Sequence, residues 1–232
     1  MMNLPWRFQL VRLARLIFFM IAGPALACTV AVLVDGGRVL FCNNEDWSDP
    51  QTRIWFVPSA THYGCAYVGF GNGWGQGGCN TQGLAFDGVA GFREEWEHDG
   101  VQPKAPRHSV ERMLESCANV EDAIAFYTRY FEPAFAGAKL VVADRSGASA
   151  VIGAKDGRLE VVRRASSFVF GYGGKRVAPL LAETCEASPA RAAELLRTAQ
   201  QTGRYGTKFS NIFDLWTGDI HVHQFASERP VA

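Results

Sequence analysis

The sequence has no excess charge of either sign: 23 Lys and Arg balance 23 Asp and Glu. Without a basic field there is nothing to draw in a nucleic-acid backbone, so nucleic-acid binding is set aside as a function. Histidine is scarce, at five residues, and forms no triad pattern. His221 and His223 make a His-x-His on one strand face, which is half of a metal site with no third ligand in view, so no metal is expected. The six cysteines (Cys28, Cys42, Cys65, Cys79, Cys117, Cys185) are spaced far too widely for C-x-x-C zinc or redox motifs. Low-complexity tracts, heptads and repeats are absent, and composition is ordinary globular. No apolar run reaches the roughly 20 residues a membrane span needs.

The longest apolar stretch lies at the N-terminus. Arg7, Arg12 and Arg15 form a positive region without acids, Leu16 to Ile21 begin an apolar core, and Ala25-Leu26-Ala27 is a small-x-small junction. This pattern predicts a signal peptide over 1–27 and a single mature domain over 28–232, secreted or periplasmic. The mature chain has 20 basic against 23 acidic residues and is long enough for one sizeable core. All six cysteines follow the junction, so export permits disulfides, but six cysteines allow 15 connectivities and the sequence does not choose.

Cleavage at that junction makes Cys28 the first residue. A thiol and a free α-amine, with ordinary pKa values near 8.5 and 8, then share one residue and form a nucleophile–base unit. Such a unit can attack an amide carbonyl and pass through an acyl-thioester, provided donors surround the oxyanion. Other readings stay open at this point: an uncleaved anchor, a lipid-modified Cys28 despite Ala25, a disulfide half, or a buried small residue.

Periodicity predicts strands at 28–34 and 38–42 around the turn Asp35-Gly36-Gly37. A polar loop, Asn43 to Trp47, is expected to end the second strand. A turn centred near residue 36 pairs position 28 with about 44, bringing Asp46 near the Cys28 amine; the alternative is a loop carboxylate capping backbone N–H groups. Further strands are expected at 53–57, 65–70, 84–89, 139–143, 148–153, 159–163 and 168–172. Helices are expected at about 109–117, 120–131 (Asn119 as N-cap) and from Ser188-Pro189 to about 201, and a closing hairpin at 208–214 and 219–225. A polar surface loop spans 91–108. Residues 71–80 read as a glycine-rich loop; Gly73, Gly75 and Gly78 match G-x-G-x-x-G, but no helix opens after them, so a dinucleotide site is rejected. Strands and helices in this order predict an α+β layered fold.

Four segments in order resemble the choloylglycine hydrolase superfamily of N-terminal nucleophile hydrolases, which includes bile salt hydrolases, penicillin V acylases and other linear-amide C–N hydrolases. They are Cys28-Thr29 with Asn44-Glu45-Asp46; Gly78-Cys79-Asn80-Thr81-Gln82-Gly83-Leu84; Leu140 to Gly147; and Thr207 to Leu215. The resemblance implies an αββα sandwich of two antiparallel sheets covered by helices. It also implies Cys28 as nucleophile, its own amine as base, Asp46 holding that amine, and Arg176 as a later active-site arginine. This chain departs from the bile-salt branch at Asn43 (Arg there), at Ala90 (Asn there) and near Gly171-Tyr172, where the oxyanion Asn is missing. Asn44, Asn72, Asn80 or backbone N–H groups of the glycine-rich segment are the candidate oxyanion donors, and Trp47, Trp55, Trp74 and Phe70 are candidates for an acyl pocket. The expectation is an exported amidohydrolase acting on a small-molecule linear amide, without cofactor. Membrane contact would be through the signal segment only, and a homo-oligomer is admitted. The rival is a lipid-anchored or inactive envelope ligand-binding protein of the same fold.

Overall fold

The computed structural model describes residues 28–105, 108–183 and 186–225. The expected signal segment 1–27, Pro106 and Cys185 lie outside the described residues.

Among the described residues, twelve strands form two antiparallel sheets. One contains β1 (Thr29–Asp35), β2 (Arg38–Asp46), β10 (Phe168–Gly171), β11 (Thr207–Asp214) and β12 (Ile220–Gln224), in the order β10-β1-β2-β11-β12. The other contains β3 (Thr52–Val57), β4 (Cys65–Phe70), β5 (Gly75–Asn80), β6 (Leu84–Ala90), β7 (Ala138–Asp144), β8 (Ser149–Lys155) and β9 (Arg158–Arg164), paired in chain order. Helices α1 (Ser109–Ser116), α2 (Val120–Arg129), α3 (Gly174–Glu183) and α4 (Pro189–Ala199) complete the framework.

Side-chain alternation sorts the apolar residues into three layers. Val30, Val32 and Phe41 meet Ala85, Val89, Val141 and Phe213 between the sheets. Leu84, Phe86 and Ile152, one residue out of phase, face Met113, Leu114 and Ile124 of α1 and α2. Leu33, Leu40 and Ile212 face Val177, Leu195 and Leu196 of α3 and α4. The layer order is therefore helix, sheet, sheet, helix, an α+β sandwich as the sequence predicts. Each large apolar side chain buried this way contributes about 1.5–3 kcal/mol relative to exposure. The expected caps form: Asn119 accepts from the Asp122 N–H at 2.9 Å, and Ser188 accepts from the Arg191 N–H at 3.2 Å.

Three expectations need correction. Strand β2 does not end in a polar loop at residue 43; it runs to Asp46, because β1 and β11 flank it and satisfy both edges. The glycine-rich segment is a turn only over 71–74. Residues 75–80 form a strand paired with β4 and β6. Gly78 is needed there because a Cβ would lie 2.6 Å from the Ala66 carbonyl oxygen. Finally, α3 is a helix where no element was expected, with Pro179 inside it.

Candidate active site

Cys28 opens β1 at one end of the inter-sheet layer and is buried, with a φ of 67°. The register decides what surrounds it. Thr29 pairs with Asn44, so the hairpin centre falls between Gly36 and Gly37 and Cys28 lies level with Glu45, not Asn44. A shift of one residue exchanges the faces of a strand. Glu45 therefore shares the inner face with the Cys28 thiol, while Asn44 points to the helices.

Asp46 is buried and accepts three hydrogen bonds: from the Cys28 backbone N–H at 3.0 Å, from Gln201 Nε2 at 2.6 Å and from Thr207 Oγ1 at 2.5 Å. A bulge in β11 makes the last of these. Thr207 pairs with Asp46 while Phe209 pairs with Glu45, so Lys208 is an extra residue. In a regular strand of the same length Thr207 would face the core alongside Phe209. Burial raises the Asp46 pKa, opposed by the bonds from Thr207, Gln201 and Cys28 and by the positive charge of Arg176. Arg176 comes from α3 and is fixed by Nη2 bonds to the carbonyls of Ala199 (3.1 Å) and Gln200 (3.4 Å), with its guanidinium 5.0 Å from the Tyr172 ring centroid. Thus Cys28, Asp46 and Arg176 are brought together from β1, β2 and α3.

The thiol lies among acids. Cys28 Sγ is 3.5 Å from Glu45 Oε2, and Glu45 Oε1 accepts from Asn43 Nδ2 at 2.9 Å. Asp87, fully buried on β6, faces the same layer as Ala85 and Val89. As a carboxylate it has no side-chain donor on either oxygen; with one proton between the acids, Asp87 and Glu45 hydrogen-bond to each other. Gly77 makes room for this pair, since a Cβ there would collide with Asp87 Oδ2. Desolvation, then the charges of Glu45 and Asp87, push the Cys28 thiol well above its usual pKa. Burial pushes Glu45 up to about 7 and Asp87 well above the carboxylate range, the latter helped by the neighbouring charge of Glu45. The thiol is thus neutral at rest and needs a base.

The candidate oxyanion residues are placed as follows. Asn44 donates Nδ2 to the Leu196 carbonyl at 2.8 Å and accepts from Ser210 Oγ at 2.5 Å, so it ties β2 to α4 and β11. Asn80 sits at the far end of the sandwich, beside Leu215 and Trp216 of the β11–β12 turn, in a cavity of about 240 Å³. Its amide is fully used: Nδ2 donates to the carbonyls of Leu114 (2.7 Å) and Cys117 (2.8 Å), and Oδ1 accepts from the N–H groups of Gln82 and Leu84 at 3.0 Å each. The Asn80 amide thus has no group left for a substrate, and the Asn44 side chain faces the helices. Asn72 is exposed in the β4–β5 turn and accepts from the Trp74 N–H at 3.0 Å, while Trp74 packs on His108 with ring centroids 4.4 Å apart. That turn is at the Cys28 end, because Trp47, following Asp46, meets Phe70 at 6.3 Å. No described hydrogen bond joins Asn72 or Trp74 to Cys28. Among the described residues no group of three His, Cys, Asp or Glu could hold a metal, and no helix is long and apolar enough to cross a membrane. Cys42, Cys65, Cys79 and Cys117 are free thiols.

Sequence reasoning missed Glu45, Asp87, Gln201 and Thr207. The signal for Glu45 was the turn centre: two glycines, not one, set the hairpin axis.

Residues 33–170 match the family model of acyl-coenzyme A:6-aminopenicillanic acid acyl-transferase, which is well over half of the chain. The chain belongs to this family. Two solved structures share its fold at low identity. Penicillin V acylase from Agrobacterium tumefaciens superposes with a TM-score of 0.69 at 15% identity, covering 85% of this chain and 82% of its own. A variant of conjugated bile acid hydrolase from Clostridium perfringens gives 0.69 at 13% identity, covering 87% and 90%. No curated protein matches in sequence. Family and fold together identify an N-terminal nucleophile hydrolase of the choloylglycine hydrolase superfamily, in agreement with the resemblance carried by the four segments.

Proposed function

We propose that this protein is an exported cysteine amidohydrolase that cleaves the C–N bond of a linear, non-peptide amide, such as an N-acyl amino acid, an N-acyl lactone or an acylated small amine. The observation that carries the reading is the cradle around the Cys28 nitrogen, in which a buried carboxylate accepts from that nitrogen at 3.0 Å while two further donors fix the carboxylate and the Arg176 charge favours its ionised form. Such a cradle holds an α-amine once residues 1–27 are removed. The acyl-transferase family and the acylase neighbour support acyl chemistry.

In this reading Cys28 Sγ loses its proton and bonds to the amide carbonyl carbon. The C–N bond then breaks, the amine leaves with a proton relayed by the α-amine, and the acyl group stays as a thioester. Water adds to the thioester carbonyl, the C–S bond breaks, and the acid and the Cys28 thiol are released. Asp46 keeps the α-amine oriented throughout, and the bonds from Thr207 and Gln201, with a smaller contribution from the Arg176 charge, favour its ionised form.

The test begins with the intact mass of protein purified from the host envelope, with and without iodoacetamide under native conditions. The expected product starts at an unmodified, alkylatable Cys28. A panel of N-acyl amides then compares wild type with Cys28→Ala, which should lose turnover entirely. A diacylglyceryl mass on Cys28, a retained 1–27 segment, or full activity in Cys28→Ala would each overturn the proposal, the first two in favour of an anchored binding protein.

A further inference from the structure

The first proton transfer in that scheme has two candidate acceptors, and the geometry separates them. The Cys28 nitrogen points at Asp46, whereas the Cys28 thiol points at Glu45, 3.5 Å away on the inner face. We infer that Glu45 takes the thiol proton and that Asp87, holding a proton of its own, positions and tunes Glu45. This inference rests on the cysteine-nucleophile reading above and reassigns its first step.

Four observations support it. Glu45 is the only side chain among the described residues that hydrogen-bonds Cys28 Sγ. Its other oxygen is fixed by Asn43 Nδ2, so Oε2 is held toward the thiol without searching rotamers. Asp87 is completely buried with two oxygens that lack side-chain donors, an arrangement that becomes satisfied when Asp87 carries a proton and donates it to Glu45. Two carboxyls this close cannot both ionise, so one proton stays with the pair. Gly77 has no Cβ where Asp87 Oδ2 sits, so the acid fits against β5.

The charged and titratable groups facing Glu45 are Cys28 on β1, Asp46 on β2 and Asp87 on β6, with Arg176 on α3 reaching only as far as Asp46. No basic side chain pairs with either acid among the described residues. A base titrating near neutral pH is also the kind that transfers protons efficiently at neutral pH. The α-amine, held on the Asp46 carboxylate and relieved of the thiol proton, is then available to carry the proton that goes to the leaving amine. The balance closes: the thiol proton moves from Sγ to Glu45 Oε2 as the S–C bond forms, and the α-ammonium gives a proton to the departing nitrogen. When water opens the thioester, its proton goes to the α-amine and Glu45 returns its own proton to the sulfur.

The test reads the thiol directly, so it does not depend on finding the substrate. The rate of Cys28 alkylation by iodoacetamide is followed by mass spectrometry from pH 5 to 9 on mature protein. Wild type, Glu45→Gln, Asp87→Asn and Asp87→Leu are compared, each checked for folding by its thermal melt. If Glu45 is the base, Glu45→Gln slows alkylation at pH 7 roughly 10-fold or more. Asp87→Asn keeps a neutral donor to Glu45, as protonated Asp87 does, so it retains the wild-type profile, whereas Asp87→Leu removes that donor and moves the acidic limb to higher pH. The opposite sign overturns the inference. If the acids merely repel the thiolate, Glu45→Gln speeds alkylation at pH 7, and both Asp87 variants speed it without moving the limb. Should Glu45→Gln fail to fold, Asp87→Leu read against Asp87→Asn decides by whether the limb moves. Rapid alkylation in wild type with no amide turnover would instead sink the hydrolase reading and leave the proton assignment standing.

Discussion

Replacing Glu45 by Gln should change how stability depends on pH, and in a direction opposite to the usual behaviour of carboxylates. Burial raises the Glu45 pKa from 4.5 to about 7 in the folded chain. An acid harder to ionise when folded binds more protons in the native state than in the unfolded state between those two values. Stability is then fully present below the unfolded pKa of 4.5 and is lost as pH rises through about 7. The rise corresponds to roughly 3 kcal/mol for a fully buried group. Asp87 is raised as well, and wherever the folded chain keeps its proton while the unfolded chain, with an ordinary value of 3.8, has lost it, Asp87 adds slope of the same sign. Urea unfolding of the full-length chain at pH 5 and pH 8 measures the effect. Wild type should lose at least most of that roughly 3 kcal/mol between the two. Glu45→Gln, which keeps the Asn43 contact and can donate to Asp87 but does not ionise, should keep the slope that Asp87 supplies, lose roughly 3 kcal/mol less than wild type across the window, and be more stable than wild type at pH 8. A wild type equally stable at both values, or a Glu45→Gln protein less stable than wild type at pH 8, would refute the reasoning, because either result means that another group compensates the Glu45 charge.

Two further substitutions separate the nitrogen cradle from the scaffold. Asp46→Ala leaves the Cys28 N–H, Gln201 Nε2 and Thr207 Oγ1 without their acceptor, so a loss of about 2–4 kcal/mol in urea unfolding is expected, together with loss of amide turnover. Asn80→Ala removes four hydrogen bonds at the far end and should destabilise by about 2–4 kcal/mol, yet leave the Cys28 alkylation profile of the folded protein unchanged.

The layers were legible because their residues alternate cleanly. Leu84 and Phe86 against Ala85 and Val89 assign two faces of one strand without help from the fold, and Asn119 and Ser188 mark helix starts by chemistry that operates locally. The residues that sequence reasoning misplaced are those whose setting depends on neighbours distant in the chain. Asn43 to Asp46 look like loop because four polar residues in succession are rarely a buried strand; β11, far later in the chain, is what makes them one. Gly75 to Gly78 look like a loop for want of side chains, but their strand exists because Tyr67, Ala66 and Asp87 crowd it from neighbouring strands. Helix α3 hid behind Gly173, Gly174 and Pro179, which read locally as breaks. Glu45 was hidden by a hairpin axis displaced by half a residue, enough to put the wrong side chain beside the thiol.

The extra residue in β11 gives chain length a meaning of its own. Surface connections tolerate insertions and deletions because nothing downstream counts residues. Between Gln201 and Phe209 something does count. Gln201 and Thr207 both grip Asp46, and Phe209 must still reach the core, so the one surplus position at Lys208 fixes which way the threonine turns. A relative of the same length with a regular strand here would turn the threonine into the core and need a different group to hold Asp46, whereas one lacking Lys208 would keep the threonine opposite Asp46 by plain alternation. Whether this strand runs regular or bulged therefore bears on the nitrogen cradle as much as the identity of any residue in it.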